Sequence, residues 1–404
     1  MYKREIKILF LFLLTIIAFN KMESQEKNQN EKVSQVIAKL KEQYAPDKRT
    51  SLFNIEYSIE NNKVVLKGET NQPKAKMDLL QEVKELKYET EDLIELLPAE
   101  NLKDKSRGII NVSVANIRTK PDHPEELSTQ ALLGAPVNVL KKSGDGWYLV
   151  QTPDEYIAWV DDDAVALMNK QEFQEWQTSE RIIVLSNYAT SYSEPDVNSQ
   201  VVSDLIKGDI LKYLQNENGF VEVEYPDKRI GYVEEINCKK FSQWLSELNP
   251  DAENIIKTAK TFLGIPYLWG GTSFKGVDCS GFTKSVFFLN GVVLPRDASQ
   301  QVHVGEFVTD KVDFTKLQPG DLIFFGTKAN GVKKERATHV GIYIGNGEYI
   351  HSSGYVRINS LDKEKSNFIQ RRYDTFLRAK RILTSLDKNG VHLIRSIDNS
   401  IGKK

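Results

Sequence analysis

The strongest restriction on the fold is an internal duplication between Gly108 and Cys238. Each copy has a short strand, a proline-containing loop, a glycine-led strand, a turn and a closing aromatic strand. Leu133-Gly134-Ala135-Pro136-Val137 in the first copy corresponds to Ile206-Lys207-Gly208-Asp209-Ile210 in the second. The turns are Gly144-Asp145-Gly146-Trp147 and Asn218-Gly219-Phe220, and the closing strands end at Trp159-Val160 and Gly231-Tyr232-Val233. Short strands punctuated by Gly and Asn at this spacing predict two small β-barrels, residues 108–170 and 180–238. In a chain of 404 residues they leave room for further domains on either side.

Residues 21–105 read as a small α/β domain, with no constellation that assigns it a role. Val33, Val36, Ile37 and Leu40 have helical spacing, as do Met77, Leu80, Val83 and Leu86, and residues 52–59 and 63–66 read as strands around Asn61-Asn62. After the barrels, a helix carrying Phe241, Trp244, Leu245 and Leu248 leads to Asn249-Pro250, where a last domain of residues 250–385 begins; residues 386–404 form a tail. At the other end, Lys3, Arg4 and Lys7 precede an apolar run from Ile8 to Phe19, too short to span a bilayer and flanked as an export signal is. Residues 1–20 are therefore expected to be a signal peptide, its cleavage point unmarked, and the mature protein to be periplasmic or secreted. With no cysteine after the run, no lipid anchor on cysteine and no stable membrane anchor is expected. Lys plus Arg total 54 against 56 for Asp plus Glu, which lacks the basic excess that nucleic-acid partners require.

Cys238 and Cys279 are too few for a disulfide framework, which directs attention to their individual chemistry. Val277-Asp278-Cys279-Ser280-Gly281-Phe282 opens a helix whose apolar face is Phe282, Val286 and Leu289. Cys279 then stands in the first turn, where unpaired N–H groups and the helix dipole favour thiolate. A small buried cysteine is the other reading of that position. Residues 339–344 alternate, with His339, Gly341 and Tyr343 on one face, and after Gly345-Asn346-Gly347 the residues Tyr349 and His351 alternate with Ile350. A three-residue loop sets residue 351 opposite 341 and puts both histidines on one face, whereas a two-residue loop separates them. The first register yields a nucleophile, a base and an orienting group in Cys279, His339 and His351. The same three side chains could instead hold zinc.

The Tyr267-x-Trp269 pair, Asp278-Cys279-Ser280-Gly281-Phe282, Leu294-Pro295-Arg296-Asp297, Pro319-Gly320-Asp321-Leu322 and His339-Val340-Gly341-Ile342-Tyr343-Ile344 resemble the NlpC-type papain-like cell-wall peptidases. The duplicated unit upstream resembles tandem bacterial SH3-like domains. Together they are most similar to the γ-D-glutamyl-L-diamino acid endopeptidases of that family, the dipeptidyl-peptidase VI group. The resemblance implies a multidomain α+β protein: the N-terminal α/β domain, two SH3-like β-barrels, and a papain-like domain with a helix-borne cysteine on an antiparallel sheet. It makes Cys279 the nucleophile, His339 the base and His351 the third member, with no cofactor and no metal.

The resemblance further implies a peptidoglycan-derived substrate, L-Ala-γ-D-Glu-diaminopimelate or the Lys equivalent, cut after D-Glu. It assigns the free L-Ala amine to Asp278, helped by an acid and a tyrosine of the first barrel, matched here by Glu126 and Tyr156. Asp278 serves equally as a helix N-cap, Glu126 could be a solvated loop charge, and Tyr156 could belong to the barrel core. Tyr267 and the Cys279 backbone N–H are the oxyanion-hole candidates, and Trp269, Ser280 and Asp297 complete the substrate-binding set. Ala298 stands where some relatives have Ser, leaving Ser280 as the candidate for the D-Glu carboxylate. A catalytically silent wall-peptide binder and an acyltransferase on the same fold are the rival functions, and the chain alone does not decide between diaminopimelate and Lys.

Overall fold

The computed structural model describes residues 30–60, 63–144 and 146–395, so the expected signal peptide of residues 1–20 lies outside the described residues. The chain divides into two compact units, before and after Asn101. In the first, a helix over residues 30–44 and the helix Pro73–Glu85 accompany a three-stranded sheet of Phe53–Glu60, Lys63–Thr70 and Glu89–Leu96. The third strand was not legible as one, because Glu-Thr-Glu-Asp-Leu-Ile-Glu-Leu buries only Ile94 and pairs in parallel with the second. The helix 73–85 turns Ala75, Leu79 and Val83 inward at intervals of four, leaving Met77, expected on the apolar face, exposed.

In the second unit the duplication becomes two seven-stranded antiparallel sheets. Counted along the chain, the strands of each copy lie in the same spatial order, 7-1-4-5-6-2-3. Gly134 and Gly208 hold equivalent positions in the two copies with φ of +81° and +100°. A Cβ on Gly134 would stand 2.2 Å from the Ile210 carbonyl oxygen of the other barrel, so the paired glycines permit the close approach of the two copies.

The last domain centres on the helix α1 (Cys279–Phe288), which is buried on nearly every side. It packs on a six-stranded antiparallel sheet: β1 (Glu306–Thr309), β2 (Leu322–Thr327), β3 (Arg336–Gly345), β4 (Glu348–Ser353), β5 (Tyr355–Ser360) and β6 (Phe376–Arg381), in the spatial order 1-6-2-3-4-5. Leu322, Phe324, Val340, Ile342 and Ile350 form one core with Phe282, Val286 and Phe287 of α1. The opposite face is also buried, by Ile323, Phe325, Tyr343, Tyr349 and Phe376. Asp321 starts β2, as a turn residue should, but its carboxylate is also buried and takes two 2.9 Å hydrogen bonds from Arg381.

The turn that sets the histidine register differs from the expected three-residue loop. Asn346 and Gly347, with φ of +51° and +76°, make a two-residue turn, and Gly345 pairs with Glu348. That turn alone would separate the histidines, but a bulge at Ile344 inserts one residue and restores Tyr343 opposite Tyr349 and Ile342 opposite Ile350. Residue 351 thus comes opposite 341, the register that gathers the histidines, by a route that sequence spacing did not distinguish.

Candidate active site

Asp278 is the N-cap of α1. Its Oδ1 accepts from the Gly281 N–H at 2.7 Å, and its Oδ2 accepts from the Gly270 N–H at 3.0 Å. The backbone leading to it is pinned to the sheet: Ser352 of β4 donates to the Val277 carbonyl, Tyr267 N–H to Gly354 and Gly264 N–H to Val356. These bonds bring Cys279 to where β3 and β4 separate, since their pairing stops at Ile342 and Ile350. Beyond that point the Val340 N–H turns to the Cys279 thiol, one residue from His339.

The two histidines face each other in the interior. His339 Nε2 lies 2.6 Å from His351 Nδ1, and His351 Nε2 lies 2.9 Å from Asn359 Oδ1. The Asn359 amide donates its Nδ2 to the Asn367 carbonyl, which leaves Oδ1 as an acceptor. His351 must therefore carry its proton on Nε2 and accept at Nδ1, so His339 donates from Nε2 and keeps Nδ1 unprotonated. The tautomer of His339 is thus set two side chains away, by the orientation of the Asn359 amide. The two rings point at each other and share no common focus, unlike the ligands of a zinc site.

Burial governs the ionisation of this group. It pushes the Cys279 thiol up to about 12, helped by the Asp278 carboxylate and opposed by N–H groups of Val340 and Ser280 and by Arg296. Burial likewise lowers His351 to about 4 and holds His339 well below its ordinary range, with the charges of Arg372 and Arg371 adding to the effect at His339. The helix N-terminus was expected to favour thiolate, but in this buried site desolvation acts against it and pushes the thiol up. Burial also raises Tyr267, with Cys279 and Asp278 adding to it, so its phenol remains an O–H donor. Cys238, half-buried at the barrel junction, is likewise pushed up to about 12.

The remaining expected site residues fall into two groups. Asp278 and Ser280 are buried and committed to Arg296, whose Nη2 donates to Asp278 Oδ2 at 2.6 Å and whose Nη1 lies 3.2 Å from Asp278 Oδ1 and 3.1 Å from Ser280 Oγ. Arg296 Nε reaches Thr129 of the first barrel at 3.0 Å, so this guanidinium, 1% exposed, joins the cap of α1 to the neighbouring domain. Asp278 thus serves as cap of α1 and as counter-ion to Arg296. Glu126, Tyr156, Trp269 and Asp297 instead meet where the first barrel touches the catalytic domain. Glu126 Oε1 accepts from the Trp269 indole at 2.6 Å, and the Tyr156 hydroxyl donates to Asp297 Oδ2 at 3.3 Å. Tyr156 is both core residue and contact, being buried among the barrel's apolar side chains. Glu126 is exposed, on the loop that leads into the barrel strand from Leu127.

Arg296 and Asn359 were missed as site residues. Arg296 stood in the quoted Leu294-Pro295-Arg296-Asp297, but next to Asp297 it reads as an ordinary solvated charge, and its partners come from distant parts of the chain. Asn359 had only the alternation of β5 to reveal it, two residues from Arg357 on the same face.

Comparison with known proteins agrees with this geometry. The NlpC/P60 family pattern matches residues 264–378, and that of the bacterial dipeptidyl-peptidase SH3 domain matches residues 117–165. The chain is similar to a dipeptidyl-peptidase 6 of Lysinibacillus sphaericus, 29% identical over 64% of this chain and 92% of the relative. It is also similar to a γ-D-glutamyl-L-lysine dipeptidyl-peptidase of Bacillus cereus, 31% identical over 63% of this chain and 85% of the relative. A crystal structure of an NlpC/P60 family protein from Bacillus cereus superposes with a TM-score of 0.58 at 27% identity, covering 69% of this chain and 100% of that one. With both patterns matched and relatives covered over most of their length, the chain belongs to the NlpC/P60 family of cysteine peptidases.

Proposed function

We propose that the protein is an exported endopeptidase that cuts the bond between γ-linked D-Glu and the following diamino acid in peptidoglycan-derived peptides whose L-Ala amine is free. The observation that carries this reading is the buried chain His339, His351 and Asn359 on the sheet that packs against the Cys279 helix, with a barrel edge nearby that offers a carboxylate. Glu126 Oε1 holds the Trp269 indole, while its Oε2 has no partner among the described residues and suits an ammonium group. The names of the relatives, which specify γ-D-glutamyl-L-lysine dipeptidyl-peptidase activity, support the same substrate class.

In this mechanism the Cys279 thiol passes its proton to His339 Nδ1 as sulfur attacks the γ-carbonyl carbon. His351 accepts the hydrogen bond from His339 Nε2–H and so steadies the imidazolium. As the first residue of α1, Cys279 has a backbone N–H without an intrahelical partner, and with the Tyr267 hydroxyl it donates to the developing oxyanion. His339 then protonates the departing amine, leaving a γ-glutamyl thioester, and water deprotonated by the same imidazole releases the acid. Mass spectrometry of L-Ala-γ-D-Glu-diaminopimelate after incubation with the purified protein is the test: release of L-Ala-D-Glu and free diamino acid is expected. An intact peptide, with the Lys analogue intact as well, would overturn the proposal.

A further inference from the structure

Three arginines stand beside the histidines and have no part in the chemistry above. Arg357 of β5 lies directly opposite His351 of β4 in the ladder and shares its face. Arg371 and Arg372 belong to the short helix Gln370–Asp374. The Arg372 guanidinium is 5.5 Å from the centroid of Phe325, whose ring is 5.9 Å from that of His339. Arg372 is close enough that its charge acts on Cys279, His339, His351 and Tyr349 together. Among the described residues no carboxylate or carbonyl pairs with any of these three guanidinium groups, and Arg357 Nε is buried without a hydrogen-bond partner. Arg357 and Arg372 lie over the rings of Tyr355 and Phe325 instead of against acids. Arg296, in the same domain, has every guanidinium nitrogen engaged. Mutually repelling cations next to a reaction centre, each with free donors, describe a site built for an anion.

The direction of proton transfer says which part of the substrate that anion belongs to. His339 has to hand its proton to the leaving amine, so the leaving residue belongs beside the histidines, while Glu126 and Trp269 lie where the first barrel meets the catalytic domain. We infer that Arg357, Arg371 and Arg372 form the subsite for the residue after the scissile bond and recognise a carboxylate on it. This rests on the proposed endopeptidase function. Two carboxylates qualify: the side-chain carboxylate that diaminopimelate has and Lys lacks, and the terminal α-carboxylate of a tripeptide. Either would also offset the arginine charges that add to the effect of burial on both imidazoles, making His339 a better base when the matching residue is bound. Selection therefore appears in kcat as well as in KM.

The test uses wild type, Arg372→Gln and Arg371→Gln with three peptides sharing L-Ala-γ-D-Glu and ending in diaminopimelate, Lys or Lys-amide. In wild type, kcat/KM falls by about tenfold or more from the first to the last, on the scale of lost charge-assisted hydrogen bonds. A step between diaminopimelate and Lys assigns the side-chain carboxylate, and a step between Lys and Lys-amide the terminal one. Arg372→Gln draws the ratio of the first to the last toward one, and Arg371→Gln, at an exposed position, does so to a smaller extent without disturbing packing. Equal kcat/KM for the three peptides in wild type overturns the inference, as does an Arg372→Gln loss that is the same for all three, which would indicate a structural role or contact with the acyl half. Failure of wild type to cut any of them overturns the endopeptidase function itself, and the subsite with it.

Discussion

Replacing Asn359 with Leu should slow the enzyme without unfolding it, and the size of the effect follows from the hydrogen-bond chain. His351 is 1% exposed, and its Nε2–H has Asn359 Oδ1 as its acceptor at 2.9 Å. Without that acceptor the productive tautomer carries a buried unpaired N–H, which costs about 1–3 kcal/mol. His351 escapes the cost by moving the proton to Nδ1, where it faces His339 Nε2. His339 must then accept at Nε2 and carry its own proton on Nδ1, toward the thiol, where it cannot act as a base. At about 1.4 kcal/mol per decade, the population of the working tautomer and with it kcat should fall roughly 10- to 100-fold. Asn359→Asp keeps an acceptor at the same position, so it should retain the tautomer and a larger share of activity. The assay is single-turnover release of the diamino acid at neutral pH, with thermal unfolding measured alongside. An Asn359→Leu protein that melts like wild type and keeps its full kcat would refute the tautomer relay.

Because burial pushes the free-enzyme thiol up to about 12, the thiolate fraction of Cys279 should grow steadily through the alkaline range. Iodoacetamide modification of Cys279 is thus expected to accelerate with pH above neutrality, and a plateau reached below pH 6 would instead indicate a resting thiolate–imidazolium pair. Cys279→Ala should abolish hydrolysis while Cys238→Ala leaves it nearly intact; activity in the former would remove Cys279 as nucleophile. Asp278→Ala strips the counter-ion from a guanidinium 1% exposed and removes a helix cap, so denaturant unfolding should show a loss of about 3–5 kcal/mol from the unpaired charge and about 1 more from the cap. A loss below 1 kcal/mol would mean that Arg296 finds another partner. Glu126 is exposed, so Glu126→Ala should raise KM for a free-amine peptide only about threefold to fivefold, the range of a solvent-screened ion pair. N-acetylation of L-Ala should cost wild type a similar factor, and a thousandfold discrimination would require a buried carboxylate that this site lacks.

Local sequence determined much of this protein because several of its features are short-range. Asp278 followed by Cys279 and Gly281 is a helix start wherever it occurs, and the Gly and Asn turns of residues 108–238 fix strand lengths without reference to the rest of the chain. Alternation at residues 339–351 set both histidines on one face once their register was chosen, but the choice depended on a bulge at Ile344 that spacing does not encode. Ionisation belonged to the tertiary structure as well: a cysteine at a helix N-terminus is activated in isolation, and only its enclosure by α1, β3 and β4 makes desolvation the larger effect. The same holds for the charges. Nothing near Arg296 in sequence reveals that Thr129, Asp278 and Ser280 surround it, nor does anything near Arg357, Arg371 and Arg372 reveal that they meet beside His351 and Phe325. Propensity and pattern act over a few residues, whereas desolvation and charge pairing depend on what packs there from far along the chain, so the candidate groups were legible in sequence while their burial and their neighbours came from the fold.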